Sequence, residues 1–375
     1  MSTEKDRSSG VAVGMPSYEY IQSQMDVDYD GILPHQYPDL HTVSRTSNSI
    51  RPISSEDSHI CYSEVSKYDD TGSKTVFYFT NSKMYPDILF PRGATNISKS
   101  YKRGILTQST NIDKNSKTVS SVVNNYNFNR IENRNGIGAI MLVEYSHKDI
   151  RPDYSTYKGI WMGTILSEWN TLESKVEQKD GVTTATTYYY DNPLHVQLTR
   201  SITDVNNKEI QEFTTFPEDF SNTDTADFIG AMKNRHLLEA PIEKIKCVRD
   251  KNTNNIYIVD GEVYTYKKGS QTGLLESVYK LETLTPIPFS SFKFANRNSI
   301  GESPWHDSLF SSFSIEDIDA RYSKKPERTF LRYNLSNNVL EMETKDNLHV
   351  SYLWSYLNQY PIAEIKNATY EQVRA

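Results

Sequence analysis

The sequence predicts a mainly β protein, made of antiparallel hairpins and meanders with one or two short accessory helices. Three observations predict it. Runs rich in β-branched and aromatic residues recur along the chain, separated by short turns of Gly, Asn and Asp. Tyrosine, at 26 residues against 14 Phe and 4 Trp, suits half-wet sheet, where the ring packs on a pleated face and the hydroxyl reaches water. Helical periodicity, by contrast, is confined to two short stretches.

Residues 1–48 show no sustained period, and Pro16, Pro34 and Pro38 interrupt what begins there, so this segment reads as extended and irregular. A β-rich hairpin module follows over 49–170. Ile60 to Val65 and Val76 to Phe79 flank the loop Lys67 to Gly72; Ile105 to Thr107 and Thr118 to Phe128 flank the polar turn Asn111 to Ser116. The meander is densest from Leu172 onward, in a third region spanning 171–375. There Asp180-Gly181 has the two residue types that tolerate the positive φ of a tight hairpin, and Gln197 to Thr203 and Glu209 to Phe216 face one another across Asp204 to Lys208. Asp260-Gly261 carries the same signature, which predicts a two-residue turn between Ile256–Val259 and Glu262–Tyr266. One helix is expected over 224–236, with Phe228 and Met232 one turn apart and basic residues in its last turn. A second is expected over 314–322, capped by Ser314, with Ile315, Ile318 and Tyr322 along one side.

The 375 residues are enough for a sizeable core without metal or disulfide support. No stretch approaches eighteen consecutive apolar residues, which excludes a membrane-spanning helix, and no apolar signal core follows Met1 to Arg7. A net charge of −7 argues against nucleic acid as a partner. Cys61 and Cys247 could form one long-range disulfide or remain reduced; reduced thiols are the favoured reading.

Two passages then suggest a family. Tyr188-Tyr189-Tyr190-Asp191 leading to Gln197-Leu198-Thr199, and Tyr333-Asn334 followed by Asn337-Asn338-Val339-Leu340, resemble degenerate YD repeats, in which a Tyr-Asp pair opens a turn and an aliphatic residue starts the next strand. With the aromatic ending Tyr352-Leu353-Trp354-Ser355-Tyr356 and the segment Tyr360 to Ala368 behind it, the chain resembles the large RHS-like, YD-repeat-associated surface proteins of Bacteroidetes. Segments around Ser58–Val65, Thr75–Asn81 and Arg103–Leu106 resemble the part that precedes the repeats in such proteins. The resemblance implies an extracellular or cell-surface location, an internal piece of a longer chain, and partners among the remaining segments of that chain or a cell-surface glycan or protein. It departs from the pattern in lacking a regular repeat between Tyr190 and Tyr333.

The sharpest local signal is Asp26-Val27-Asp28-Tyr29-Asp30-Gly31, where Asp26, Asp28 and Asp30 could offer three oxygens to calcium and Gly31 the sharp turn, as in the first half of an EF-hand loop. The second half is missing: Tyr37 stands where the bidentate glutamate belongs, and Pro34 and Pro38 oppose an exit helix. The readings are a loose calcium loop assisted by Asp39, with an affinity of about 10⁻⁴ to 10⁻³ M, or a solvated acidic turn.

His59 and Cys61, two apart, lie on one face of a strand for packing reasons alone and have no second cluster to complete a metal site. His195 and His349 each sit in a Leu-His-Val triplet, and Trp305-His306-Asp307 is a loop neighbourhood. Catalytic signatures are missing; Gly136-Ile137-Gly138 is no phosphate loop. Glu56 with Asp57, and Glu218 with Asp219, could serve as glycosidase carboxylates only if folding set them about 5 to 9.5 Å apart around a substrate. The expected function is therefore a non-catalytic structural or adhesive β module with no catalytic residues and no cofactor beyond calcium. The alternatives are a carbohydrate-binding or carbohydrate-active module, with Trp161, Trp169 and Trp305 as its platform, and a shell fragment of a polymorphic toxin delivery protein.

Overall fold

The computed structural model describes residues 9–12, 60–87, 99–128, 169–305 and 310–375 in full, and at backbone level the strands at 19–24, 27–29, 34–36, 40–45, 129–132, 137–145, 157–164 and 167–168. The chain divides into two compact units, Met1–Thr183 and Thr184–Ala375. In the first lie β1 (Gly10–Ala12), β2 (Glu19–Gln24), β3 (Val27–Tyr29), β4 (Pro34–Gln36), β5 (Leu40–Arg45), β6 (Ile60–Tyr62), β7 (Glu64–Tyr68), β8 (Lys74–Phe79), β9 (Leu106–Ile112), β10 (Thr118–Glu132), β11 (Ile137–Tyr145), β12 (Tyr157–Thr164) and β13 (Ser167–Lys179). Five of these form an antiparallel sheet in the order β13-β10-β9-β8-β7, and the others pair as β1 with β6, β2 with β5, β3 with β4 and β11 with β12. The N-terminal segment expected to be extended and irregular thus carries short antiparallel pairs, with Asp28 opposite His35.

The second unit holds β14 (Val182–Tyr189), β15 (Arg200–Val205), β16 (Lys208–Thr215), α1 (Phe228–Asn234), β17 (Glu243–Asp250), β18 (Ile256–Tyr266), β19 (Leu275–Lys280), β20 (Ile287–Pro288), β21 (Arg328–Tyr333), β22 (Val339–Thr344), β23 (His349–Ser355), β24 (Tyr360–Lys366) and α2 (Tyr370–Arg374). Strands follow one another across the sheet in chain order, with β20 attached to β18. The mainly β, antiparallel expectation is what the chain adopts. Among the described residues no helix is long and apolar enough to cross a membrane.

One turn design joins many of these hairpins. At Asp69, the carboxylate Oδ1 accepts the backbone N–H of Thr71 and of Ser73, both at 2.9 Å, and Gly72 takes a φ of 85°. At Asp113, Oδ1 accepts from Asn115 and Lys117 at 2.8 Å, with Ser116 at 64°. At Asn334, Oδ1 accepts from Ser336 and Asn338 at 2.9 Å, with Asn337 at 65°. Thr344 repeats the geometry with its hydroxyl, which accepts from Leu348, and Asn347 at 61°. In each, a short polar side chain satisfies turn N–H groups two to four residues on, and the fourth residue adopts the left-handed conformation that closes the hairpin. Tyr68-Asp69 and Tyr333-Asn334 show why an aromatic precedes: it ends one strand, and the Asx residue opens the turn.

Among the described residues the apolar core lies in the second unit. Strands β16 to β18 point Phe213, Ile245, Cys247, Ile258 and Val263 to one side, where α1 (Ile229, Met232) and the segment 281–327 (Phe292, Phe294, Phe313, Tyr322) cover them. β17 shows the alternation plainly: Glu243, Ile245 and Cys247 are buried, and Lys244 and Lys246 are exposed. α1 starts where Asp227 Oδ1 accepts the Gly230 N–H at 2.9 Å, and it is shorter than the 224–236 expected.

Two expectations are overturned. Residues 314–322 form turns, not a helix, although Ile315, Ile318 and Tyr322 do face the core. Asp319, buried, accepts the N–H groups of Lys293 and Arg321 and the guanidinium of Arg321, so its side chain competes with helical pairing for the backbone. Asp260-Gly261 is not a turn but the middle of β18. Register slips from Lys246↔Asp260 to Cys247↔Ile258, leaving Val259 as a bulge. Gly261 is required there by close approach: a Cβ would sit 2.8 Å from Ile245 Cδ1 and 3.1 Å from the Tyr322 hydroxyl. Asp180-Gly181 does turn, with φ of 52° and 80°. A short α2 closes the chain behind a Thr369–Gln372 capping box that the sequence reading did not anticipate.

Candidate functional site

A cavity of about 390 Å³ opens in the second unit between the loop after β14, the end of β16 and the segment 281–327. Its apolar wall is Pro193, Leu194, Phe213, Pro304, Trp305 and Phe310; its polar wall is Asp191, Asn192, Thr199, Thr214, Thr215 and Asp219. The loop 190–199 is folded by its own polar groups. Asp191 N–H donates to Thr199 Oγ1 at 3.0 Å, and that hydroxyl lies 3.0 Å from both Tyr189 O and Asp191 Oδ2. The Asn192 side-chain oxygen Oδ1 accepts the Leu194 N–H at 2.8 Å, which turns the chain into His195.

Asp219 holds the cavity floor. Its Oδ1 accepts from Asn192 Nδ2 at 2.7 Å; its Oδ2 accepts the Phe216 N–H at 2.8 Å and faces His195 Nε2 at 3.4 Å. The Gln197 N–H donates to His195 Nδ1 at 3.1 Å, so the ring's other nitrogen, Nε2, carries the proton and donates to Asp219. His195 is buried with its ring edge-on to Phe216 at 5.2 Å. This is a fixed structural bridge, as a histidine at a turn edge should be.

Arg200 organises the rim. Its guanidinium lies 3.8 Å from the Tyr189 ring centroid and 4.6 Å from that of Trp305, and reaches both oxygens of Asp191 at 3.4 Å. Trp305 in turn stacks on Phe213 at 4.4 Å. Its ring surface is thus committed to Phe213 and Arg200 rather than held out as a flat platform. Trp169 lies in the first unit, half-buried, and the side chain of Trp161 lies outside the described residues.

Other expected residues fall as follows. Asp26 and Asp30 lie outside the described residues; Asp28 sits in β3, its side chain likewise outside them. His59, Glu56, Asp57, Gly136, His306 and Asp307 also lie outside them. Cys61 is half-buried in β6 and Cys247 is deep in the core, where burial raises its thiol well above the usual range; no disulfide joins them. Glu218 turns away from Asp219 to face Lys233 Nζ at 3.4 Å. His349 Nδ1 meets Glu341 at 2.8 Å. Among the described residues no group of three or more His, Cys, Asp or Glu side chains is placed to hold a metal.

Among the buried polar groups that sequence reading missed is a carboxylate of the core. Glu243, 1 % exposed, accepts the Tyr322 hydroxyl at 2.8 Å and the Ala295 N–H at 2.9 Å. Both donors come from the segment 281–327, so this carboxylate pins that segment to the sheet. Burial drives its pKa from 4.5 up to about 7 against those two hydrogen bonds. Its position in the alternation Glu243, Ile245, Cys247 was the available signal.

No protein-family model and no curated protein matches the sequence. Among solved structures, the chain is similar to TcdB2-TccC3-Cdc42 (7% identity, TM-score 0.32, covering 81% of this chain and 20% of that one). It is similar also to TcdB2-TccC3-TEV (6% identity, TM-score 0.34, 94% and 20%) and to TcdB2-TccC3 without its hypervariable C-terminal region (6% identity, TM-score 0.32, 81% and 20%). The chain spans about a fifth of the length of each.

Proposed function

We propose that the chain is a non-catalytic structural β module, a wall segment of a surface-displayed RHS/YD-repeat-like protein. The observation that carries this reading is the recurrence of one Asx- or Thr-headed turn at Asp69, Asp113, Asn334 and Thr344. Such a turn needs only local polar groups, so hairpins can follow one another and extend a sheet without a new core for each. The carboxylates at the cavity support the same reading. Asp191 and Asp219 are engaged by Arg200, Asn192, His195 and the Phe216 N–H, which fix their positions and occupy most of their acceptor capacity. Other segments of a longer chain are the partners this reading assigns, and a calcium ion at Asp26, Asp28 and Asp30 belongs to it as an accessory.

The test is a turnover screen of the full chain on polysaccharide, peptide and phosphoester substrates. No turnover is expected. Hydrolysis lost in Asp191→Asn or Asp219→Asn would overturn the reading. For calcium, a melting temperature that rises with millimolar calcium supports the accessory site, and one that is indifferent to calcium removes it.

A further inference from the structure

Two hairpin tips at one end of the second unit's sheet hold apolar side chains out in the solvent. The turn between β21 and β22 presents Leu335. The turn between β23 and β24 presents Tyr356 and Leu357, with Tyr360 and Ile362 behind them at the start of β24. Leu335 and Leu357 are 105% and 90% exposed, and the other three are more than half exposed. In an antiparallel meander alternate turns fall at the same end, and Asn338 Nδ2 donates to Asn358 O at 2.6 Å, which ties the two tips side by side. Tyr356 meets Tyr360 edge-on, with 6.0 Å between ring centroids. A single exposed leucine is ordinary, whereas five apolar side chains gathered at one end of a sheet form a patch.

The backbone keeps this patch at the apex. Tyr356, Leu357 and Asn358 take φ of 52°, 59° and 63°, three successive left-handed residues without a glycine. Bulky L side chains avoid that region, so the turn presents Tyr356 and Leu357 against local preference. Charge is missing from both hairpin ends. Residues 333–340 and 352–363 contain no Asp, Glu, Lys, Arg or His, although at the chain's 24% about five of those twenty would be charged. Arg332, three residues before Leu335 along β21, and Glu364, four residues after Tyr360 along β24, bound the uncharged band. At about 3.3 Å per residue that band is roughly 10 Å deep.

These features select the occupant. A protein partner needs a separate hollow for each projecting leucine, whereas the boundary between lipid headgroups and acyl chains yields to a convex apolar tip. The depth of the uncharged band matches the roughly 5 to 10 Å to which interfacial segments bury. Tyr356 and Tyr360, each with an apolar ring and a polar hydroxyl, are the residue type that settles at headgroup level. With no charge on either tip, the attraction is apolar and needs no anionic lipid. We propose that these two tips form a membrane-contact surface, with Leu335 and Leu357 entering the interface of a bilayer and Tyr356 and Tyr360 level with its headgroups. The contact lays the sheet's end on the bilayer without spanning it, and it goes beyond the wall reading by giving one pair of turns a lipid partner.

Flotation of the full chain with neutral phosphatidylcholine vesicles tests it. At millimolar lipid the chain is expected to float with the vesicles, at about 0.1 M and about 1 M salt alike, because screening has no charge to act on. Leu335→Asp and Leu357→Asp should each weaken partitioning about tenfold or more. Both side chains face solvent, so neither variant should lower the melting temperature. Leu284→Asp, at an equally exposed leucine near the Glu282–Lys345 ion pair, is the control and should float like the parent. No flotation, flotation that needs anionic phosphatidylglycerol and fails at high salt, flotation indifferent to both tip variants, or a loss in Leu284→Asp as large as at the tips would each overturn the proposal. So would a dimer in sedimentation velocity that the tip variants dissociate, without vesicle binding, since the tips would then meet a second copy of the chain. Turnover decides the wall reading and flotation decides this one, so the two fail separately.

Discussion

The two units share a turn design and differ in what lies beneath it. In the first, Val76 is the one buried apolar side chain among the described residues, and two cationic side chains are buried as well. Lys102 and Arg103, both buried, sit under Tyr85, Tyr101 and Phe128: Lys102 Nζ donates to Phe128 O at 2.6 Å, and Arg103 donates to Tyr85 O and to the Asp87 carboxylate. In the second, seventeen buried residues form one apolar cluster under β16 to β18. The sheet is not the source of the difference. β19 pairs directly with β21, and the described residues between them, 281–305 and 310–327, supply Phe292, Phe294, Phe313 and Tyr322 to the cluster on the sheet. A meander alone makes a wall; an insertion laid across it makes a core.

The largest expected effect separates the units most cleanly. Phe294→Ala, at a fully buried position edge-on to Phe213 and Phe292, should cost about 3 to 5 kcal/mol in urea unfolding. Val76→Ala should cost about 1.6 kcal/mol, the transfer cost of two methyl groups. Equal losses would break the comparison.

In the first unit, stability should hang on polar contacts instead. Asp87→Ala removes the carboxylate that Arg103 meets and the acceptor of the Lys99 N–H, and about 3 kcal/mol should be lost from the transition that reports this unit. A neutral outcome would mean that the cationic cluster is not what holds it.

The pin between sheet and insertion has a pH signature. Glu243 has a folded value of about 7 against an ordinary 4.5. A raised carboxyl stabilises fully below about 4.5, and that contribution is lost as pH rises through about 7. The change should be on the order of 3 kcal/mol, lost between pH 4.5 and pH 7. Glu243→Gln, whose amide oxygen can accept the Ala295 N–H while its NH2 turns to the Tyr322 hydroxyl oxygen, cannot ionise and should flatten the profile. Denaturant midpoints at pH 5 and pH 8 for both proteins check it, and an unchanged slope in the variant would assign the pH dependence elsewhere.

The smallest effect concerns what the units share. Asn337→Gly and Ser116→Gly relieve a left-handed residue in matching turns, at φ of 65° and 64°. Each should stabilise by no more than about 1 kcal/mol, since glycine also loses more entropy on folding. A gain in one turn and a large loss in the other, read as melting temperatures, would show that the turns are not equivalent.

Much of this was legible in residues, and the failures are instructive. Asp180-Gly181 and Asp260-Gly261 are the same dipeptide, yet one turns and the other lies mid-strand. Local chemistry permits both, and only the approach of Ile245 and Tyr322, distant in sequence, decides that Gly261 serves packing. Likewise Ile315, Ile318 and Tyr322 were correctly placed on one buried side but in the wrong element, because Asp319 draws backbone N–H groups to its carboxylate. At the cavity, Asp219 stood out as half of an acidic pair, but its partners are Asn192 and His195 and not Glu218.

Hydrogen exchange of the full chain, read peptide by peptide by mass spectrometry, tests the central claim most directly. Amides of β16, β17 and β18, beneath the insertion, should exchange slowest, and those of β7, β8 and β9, hydrogen-bonded in the same kind of ladder but with Val76 as their one buried apolar side chain among the described residues, should exchange orders of magnitude faster. Equal protection in the two sets would contradict the account, because the sheet itself, and not what is laid across it, would then carry the stability.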